Sequence, residues 1–191
     1  MGLAGAQRAT LKKFHIEAKT DWEDFLYEGN SYPLRHLSAH SVIYQGEKDT
    51  YKFVVTYGLH CFAKDAQEHS LSLTYSDARE TRQINLERYY ASKNLRAIIE
   101  NLDQNKLMYE TATEKYFNIE LINSLNGELE PYKVCFHFFK ENRLLRMHVT
   151  SAFFDREGKK ITNKSCSIFK IAKDTKDRPR NRGIPKETRN R

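Results

Sequence analysis

Cysteine is scarce in this chain, which holds only three, at positions 61, 135 and 166. An odd number of widely spaced cysteines fits neither a disulfide framework nor the paired spacing of a structural zinc site. The sequence therefore favours a reducing, cytoplasmic setting, and it predicts no bound metal ion and no cofactor.

Long hydrophobic runs are also lacking. No apolar run reaches the roughly 18 residues that a membrane helix needs. The first residues, MGLAGAQRATLKK, lack a positively charged start followed by an apolar stretch, so we do not expect a secretory signal. Glycine-rich phosphate loops, nucleophile elbows and carboxylate-rich metal motifs are missing as well. We predict no contact with a membrane, and whether the protein is an enzyme stays open at this stage.

What the sequence does contain is typical of a folded domain. Of 191 residues, 39% are hydrophobic and 12% aromatic, which is enough for one sizeable core. The net charge of +7 is concentrated at the end of the chain, because residues 173–191 hold eight Lys or Arg and only three acids. We predict a single α+β domain over residues 1–172 and a flexible basic tail over residues 173–191.

Pro131–Phe154 is the clearest structural element, and its pattern predicts an antiparallel β-hairpin that turns at Lys140–Arg143. Side chains alternate between the two faces of a strand, so one face of this hairpin is wholly apolar and belongs against the core. With Phe139 placed opposite Leu144, the predicted pairs on the apolar face are Phe138 with Leu145, Phe136 with Met147, and Val134 with Val149.

The other face of the hairpin is polar. In the same register its pairs are His137 with Arg146, Cys135 with His148, and Lys133 with Thr150. Half of any sheet's side chains point away from the core, so these residues are either ordinary solvent-facing groups or a site.

The remaining elements follow from shorter patterns. Tyr51–Phe62 alternates like a strand, with Gly58 marking a bulge or a close approach and His60 just beyond it. Gln83–Leu102 carries a helical apolar stripe, and Lys164–Ile171 is predicted to be the last strand. Together these elements predict an α+β fold, a mainly antiparallel sheet with one principal helix packed on one face.

His36 and His40 are four residues apart, a spacing that could ligate zinc if both stood on one helix. The glutamate of the HExxH motif is missing and no third ligand can be identified. We therefore assign no metal site here.

Three segments carry a family resemblance: TYGLHCFAKD at 56–65, RYYASKNLRAIIENL at 88–102 and TSAFFDR at 150–156. In these segments the chain resembles an uncharacterised group of small bacterial proteins carried by phages and other mobile elements. The resemblance implies a bacterial, cytoplasmic setting, and it transfers neither an activity nor a catalytic residue.

The first function hypothesis is a non-enzymatic binding protein. Its partner would be nucleic acid, either RNA or DNA, or an acidic protein, held by cations of the hairpin face and the tail. The oligomeric state is not predicted. The predicted binding residues are Lys133, Arg146, Arg178, Arg180, Arg182, Lys186, Arg189 and Arg191.

The alternative hypothesis is a toxin-like, metal-independent endoribonuclease. Such an enzyme needs a base, an acid and a cation near the scissile phosphate, and histidine suits both proton-transfer roles. Small antiparallel-sheet ribonucleases place such groups on an open sheet face, which is an analogy at the level of the fold. The predicted catalytic residues, under this alternative only, are His137, His148, Arg146, Thr150 and His60.

Overall fold

The computed structural model describes residues 21–65, 73–77, 80–104, 107–110, 115–157 and 165–179. In these ranges the strands are β1 (Phe25–Tyr27), β2 (Asn30–Tyr32), β3 (His40–Gln45), β4 (Thr50–His60), β5 (Ala63–Lys64), β6 (Thr74–Ser76), β7 (Thr81–Ile84), β8 (Leu107–Glu110), β9 (Lys115–Ile122), β10 (Leu129–Glu141), β11 (Leu144–Phe154) and β12 (Ser165–Ser167). The helices are a 3-10 turn at Arg35–Leu37, α1 (Leu86–Ser92), α2 (Leu95–Glu100) and α3 (Ile168–Asp177).

A seven-stranded sheet organises the fold, in the order β12-β8-β9-β10-β11-β4-β3. Its neighbouring strands are antiparallel except β11 and β4, which run parallel. Two smaller sheets, β1-β2 and β5-β7-β6, flank it. The predicted fold class, α+β with a mainly antiparallel sheet, is confirmed.

The central hairpin forms as predicted, but its register differs. Phe138 lies opposite Met147, not Leu145, and Phe136 lies opposite Val149. The turn is tighter than we predicted, because only Asn142 and Arg143 separate the strands and Asn142 adopts a positive φ of 53°. Asparagine tolerates this left-handed conformation better than most residues. The shift is by two residues, so the same side chains still share a face.

The predicted apolar face is confirmed as core. Val134, Phe136, Phe138, Leu145, Met147 and Val149 are all buried, and they belong to one hydrophobic cluster with the inner side chains of β4. No helix in the described ranges is both long and apolar enough to cross a membrane.

A bulge at Thr150 interrupts β11, because Val149 lies opposite Phe136 while Ser151 lies opposite Cys135. The pairing of β11 with β4 shifts at the same point. Gly58 of β4 faces this bulge, where any Cβ would come within 3.0 Å of the Thr150 carbonyl oxygen. The predicted close approach at Gly58 is therefore confirmed, and the reason is the bulge on the neighbouring strand.

Two predicted elements are wrong. The long helix over 83–102 is instead the end of β7 followed by α1 and α2, which are separated at Lys93 and Asn94. The predicted strand over 164–171 becomes helix α3 from Ile168, where the Ser167 hydroxyl caps the helix by accepting from the Lys170 N–H at 3.3 Å. Helix α3 runs to Asp177, so the predicted start of the tail at residue 173 lies inside a helix. The predicted tail from residue 180 onward lies outside the described residues.

Candidate functional site

The polar face of the hairpin is arranged differently from the prediction. His137 lies opposite His148, Arg146 opposite Phe139, and Cys135 opposite Ser151. His148 and Arg146 are buried, 4% and 1% exposed, whereas His137 is half-buried. Two of the predicted catalytic groups are therefore not on an open sheet face.

Arg146 is held inside the sheet. Its Nη1 lies 3.0 Å from Oε2 of Glu141, which is also buried, and its guanidinium lies 5.8 Å from the centre of the Phe139 ring. Burial lowers the pKa of Arg146 to about 10, and Glu141 opposes this shift. A buried guanidinium that is already paired is poorly placed to meet a phosphate, because leaving the pair would strand the Glu141 carboxylate without this cation.

His148 is held by β4. Its Nδ1 lies 2.9 Å from the Thr56 hydroxyl, and its Nε2 lies against Gly58, 3.3 Å from where a Cβ at that glycine would stand. Thr150, the bulge residue, is half-buried. Glycine at position 58 thus makes room for the imidazole of His148, a contact that joins two strands far apart in sequence.

His60 belongs to a different polar cluster. Its Nε2 lies 3.4 Å from Oε1 of Glu80, whose other oxygen accepts from Arg82 at 2.8 Å. Burial, followed by the nearby Arg82, lowers the pKa of His60, and Glu80 opposes this shift. His60 is paired with Ser151, three residues beyond His148 and roughly 10 Å farther along the strand. Of the three histidines of the predicted constellation, His137 and His148 lie opposite each other, and His60 lies apart from them.

The predicted binding cations that the structure describes all have intramolecular partners. Lys133 Nζ lies 3.7 Å from Asp155 Oδ2 and 4.5 Å from the centre of the Tyr116 ring. Arg178 donates from Nη1 to the carbonyl oxygen of Phe138 at 3.0 Å. The other predicted cations, Arg180, Arg182, Lys186, Arg189 and Arg191, lie outside the described residues.

A basic and aromatic surface forms elsewhere, around the buried ring of Tyr89. We call it the tyrosine–basic surface. Its members come from strand β2, the 3-10 turn, helix α1, the break between α1 and α2, and helix α2, so only the fold brings them together. They are Tyr32, His36, Tyr90, Lys93 and Arg96.

Tyr89 is the hub of this surface. The Tyr32 ring meets it edge-on at 5.3 Å, the Tyr90 ring at 5.2 Å and the His36 ring at 5.8 Å. Lys93 Nζ lies 4.8 Å from the centre of the Tyr89 ring and 5.0 Å from that of Tyr90. Edge-to-face contacts of this kind hold aromatic rings in fixed orientations, so the two half-buried tyrosines are presented rigidly beside a cation.

His36 ties the surface to the end of helix α1. Its Nε2 lies 2.8 Å from the Ser92 hydroxyl, which donates to the Tyr89 carbonyl oxygen at 2.6 Å. Burial first and Lys93 second lower the pKa of His36 to about 4, with Arg96 adding to the shift. The imidazole is therefore neutral at pH 7, and the positive charge of the surface resides on Lys93 and Arg96.

Lys93 and Arg96 are exposed, and neither forms an ion pair with any residue in the described ranges. Glu100, one turn farther along helix α2, is also exposed. Lys93 and Arg96, which have no acidic partner in the described ranges, can hold phosphate groups, and the half-buried tyrosine rings can stack against bases. The arrangement therefore offers a way to bind a polyanion.

The His36 and His40 pair does not make a zinc site of the kind weighed from the sequence. His36 is in the 3-10 turn and His40 begins β3, so the two do not stand four apart on one helix. Among the residues described, no group of three or more His, Cys, Asp or Glu could hold a metal ion.

No residue of this surface is among the binding or catalytic residues predicted from the sequence. The apolar stripe over 83–102 leaves Lys93 and Arg96 on the solvent side, and that pattern alone indicates only a mixed-charge solvated face. Tyr32 and Tyr90 were missed, because nothing in the local pattern shows that β2 packs beside helix α1. The signal available in the sequence was the pair Tyr89 and Tyr90 directly before Lys93 and Arg96.

Comparison with known proteins gives one consistent match. The profile of the YjaZ family matches residues 24–176. Protein YjaZ of Escherichia coli (strain K12) is 34% identical over 162 residues, which cover 79% of this chain and 88% of the relative. No solved structure matches the chain. The matched range contains every residue of the tyrosine–basic surface and nearly all of helix α3.

Proposed function

The chain belongs to the YjaZ family, and from its own residues we propose that it is a non-enzymatic binding protein for an anionic macromolecule, with nucleic acid as the ligand. The observation that carries the proposal is two exposed cations that form no ion pair in the described ranges: Lys93, which lies over the Tyr90 ring, and Arg96, which is close enough to His36 to lower its pKa. Bacterial, cytoplasmic and phage-borne origins remain predictions from the resemblance.

The charge supports a phosphate ligand. Nucleic-acid affinity comes largely from cations that displace counterions, and a cation already neutralised by a carboxylate contributes less. Lys93 and Arg96 have no carboxylate partner in the described ranges, so their charges are available to phosphates. Lys133 and Arg146, two predicted binding residues of the first hypothesis, already have acidic partners.

The tyrosines support single-stranded nucleic acid over an acidic protein. Base stacking on an aromatic ring contributes roughly 1–3 kcal/mol per base in single-strand binding sites. Tyr32 is already stacked on Phe25 at 4.9 Å with an interplanar angle of 7°, so its ring plane is fixed before a ligand arrives. A protein partner would use the cations but would gain less from the orientation of the rings.

The endoribonuclease alternative stays a prediction, and the contacts of three of its residues in the described ranges weigh against it. His148 and Arg146 would have to leave buried contacts with Thr56 and Glu141 to reach RNA. An acid and a base must stand within hydrogen-bonding reach of the reacting groups, and His60 is paired with Glu80 instead.

The test is binding of labelled single-stranded RNA and DNA, followed by fluorescence anisotropy at several salt concentrations. We expect the double variant Lys93→Ala/Arg96→Ala to lose affinity and to lower the slope of log affinity against log salt by roughly 1.4, two phosphate contacts on a single strand. Tyr90→Leu should weaken binding to single strands more than binding to a duplex, because only unpaired bases can stack on it.

The matched control removes the same charge from another exposed region. Lys48 and Lys52 are exposed on the β3–β4 hairpin, and Lys48→Ala/Lys52→Ala should leave the salt slope close to that of wild type. If the two double variants lose the same affinity, binding depends only on the net charge of the protein, and the proposed surface is contradicted.

A cleavage assay separates the two function classes. We expect wild-type protein in EDTA to leave labelled RNA intact at large protein excess. The opposite outcome is RNA cleavage by wild type that disappears in His148→Ala, with a melting temperature showing that the variant is folded. That outcome would favour the ribonuclease alternative over the binding proposal.

A further inference from the structure

Strand β3 is the edge of the seven-stranded sheet. In the part of the chain that the structure describes, it pairs with β4 on one side and with no strand on the other. Its six residues, HSVIYQ, contain no Lys, Arg, Asp, Glu or Pro. Natural edge strands are commonly protected by charges, proline or bulges, and β3 carries none of these along its length.

The hairpin turn fixes which backbone groups of β3 point outward. The Gly46 N–H donates to the Asp49 carbonyl oxygen at 2.9 Å and closes the β3–β4 hairpin. Hydrogen-bonded and non-hydrogen-bonded pairs alternate along an antiparallel ladder, so Val42 and Tyr44 bond inward to β4. Ser41, Ile43 and Gln45 therefore direct their N–H and C=O groups away from the sheet.

We propose that two copies of this chain associate through antiparallel pairing of β3, about a twofold axis at Ile43. Ile43 then lies opposite Ile43 of the second copy, and Ser41 lies opposite Gln45 of the second copy. This register uses all three outward-facing residues of each strand and forms about six backbone hydrogen bonds.

The side chains fit this register on both faces. Val42 and Tyr44 are buried on the core side, and pairing them with one another continues the apolar face across the axis. On the opposite side Ile43 is 54% exposed, and the contact between the two isoleucines covers each of them. Covering exposed apolar side chains in this way is favourable through the hydrophobic effect.

Charges do not oppose the pairing. Continued past the strand ends, the register places Glu47 opposite Ala39 and Lys48 opposite Ser38 of the second copy, so no like charges meet. Lys52 lies beside Ile43 on β4, and the two copies of Lys52 would stand three strand spacings apart, roughly 14 Å. Exposed charges at that separation are largely screened at physiological ionic strength.

The opposite edge of the sheet is a poorer candidate. Strand β12 has only three residues, against six in β3. A six-residue strand pair is small compared with standard protein interfaces, so we expect a weak dimer that dissociates on dilution.

Sedimentation velocity over a wide range of protein concentration tests the proposal. Wild type should shift from monomer to dimer as concentration rises, and Ile43→Lys should stay monomeric because it places like charges face to face at the axis. The matched control is Leu26→Lys, at a residue that is 71% exposed on the separate β1–β2 hairpin, and it should dimerise like wild type.

A crosslinking variant locates the axis. In a hydrogen-bonded antiparallel pair the Cα atoms are roughly 5.5 Å apart, within disulfide range. Ile43→Cys in a Cys166→Ser background should form a covalent dimer under oxidation, and Leu26→Cys in the same background should not. Two results would overturn the proposal: wild type that stays monomeric at every concentration, or Ile43→Lys that dimerises like wild type. The edge of β3 would then be a site for a strand of another protein.

Discussion

His40 gives the sharpest prediction about stability. It is 8% exposed at the start of β3, its ring stacks on Tyr57 at 5.8 Å with an interplanar angle of 21°, and neither ring nitrogen has a hydrogen-bond partner in the described ranges. Burial first and the Arg96 guanidinium second lower the pKa of His40 to about 4. The folded protein therefore holds a neutral imidazole that the unfolded chain would protonate in mild acid.

The sign and size of the effect follow from linkage. The unfolded histidine has a pKa near 6.5, so above that pH both states are neutral and stability is unaffected. As pH falls from about 6.5 toward 4, His40 becomes protonated in the unfolded state but stays neutral in the folded state. The free energy of unfolding therefore decreases. At about pH 5 the loss amounts to roughly 2 kcal/mol. His36, whose pKa is also lowered to about 4, adds a loss of the same sign.

The variant His40→Phe isolates this contribution, because phenylalanine keeps a ring against Tyr57 and cannot titrate. We expect its stability to be close to that of wild type at about pH 7.5, since no hydrogen bond of ordinary geometry is lost. Urea unfolding at about pH 5 should then show the variant more stable than wild type by roughly 2 kcal/mol. Equal losses in wild type and variant on acidification would refute a neutral buried His40.

Three further changes test the structural assignments. Gly58→Ala should cost roughly 1–3 kcal/mol in urea unfolding, because its Cβ would lie 3.0 Å from the Thr150 carbonyl oxygen; a neutral result would argue against the close approach. A chain ending at residue 179 should melt like the full chain, whereas one ending at residue 172 should lose at least about 1–2 kcal/mol with the buried Thr175. Arg146→Met should cost roughly 3–5 kcal/mol by leaving the Glu141 carboxylate without this cation. Its oligonucleotide affinity should be unchanged, and a selective loss of affinity would restore Arg146 as a binding residue.

The sheet was predictable from local pattern because a strand's period of two is visible in the sequence. The buried side chains of Phe136 and Met147 follow from alternation alone, and the tighter turn at Asn142 changed their partners without changing their face. The helix at Ile168 was not predictable in the same way. Short apolar runs fit a strand or a helix equally well, and the decision depended on the Ser167 cap.

The candidate site was less predictable than the fold. Alternation assigns Arg146 and His148 to the polar face, but it does not reveal that this part of the face is buried. The surroundings of His148 depend on the parallel pairing of β11 with β4, which places Thr56, a residue distant in sequence, in contact with it. The tyrosine–basic surface likewise needs β2, the 3-10 turn and helix α1 to meet, and no local period encodes that meeting.

The single parallel junction of the sheet has a consequence for how the chain acquires its structure. The strands β3–β4 and β9–β10–β11 each pair with neighbours close in sequence, so each group can form early. Joining the groups brings together residues such as Thr56 and His148, which are separated by 92 positions. Closing so long a loop is entropically costly and slows folding relative to local contacts. On the ribosome, the edge of β4 that later pairs with β11 stays unpaired until β11 has been synthesised. Incorrect strand pairing is therefore expected most often during that interval.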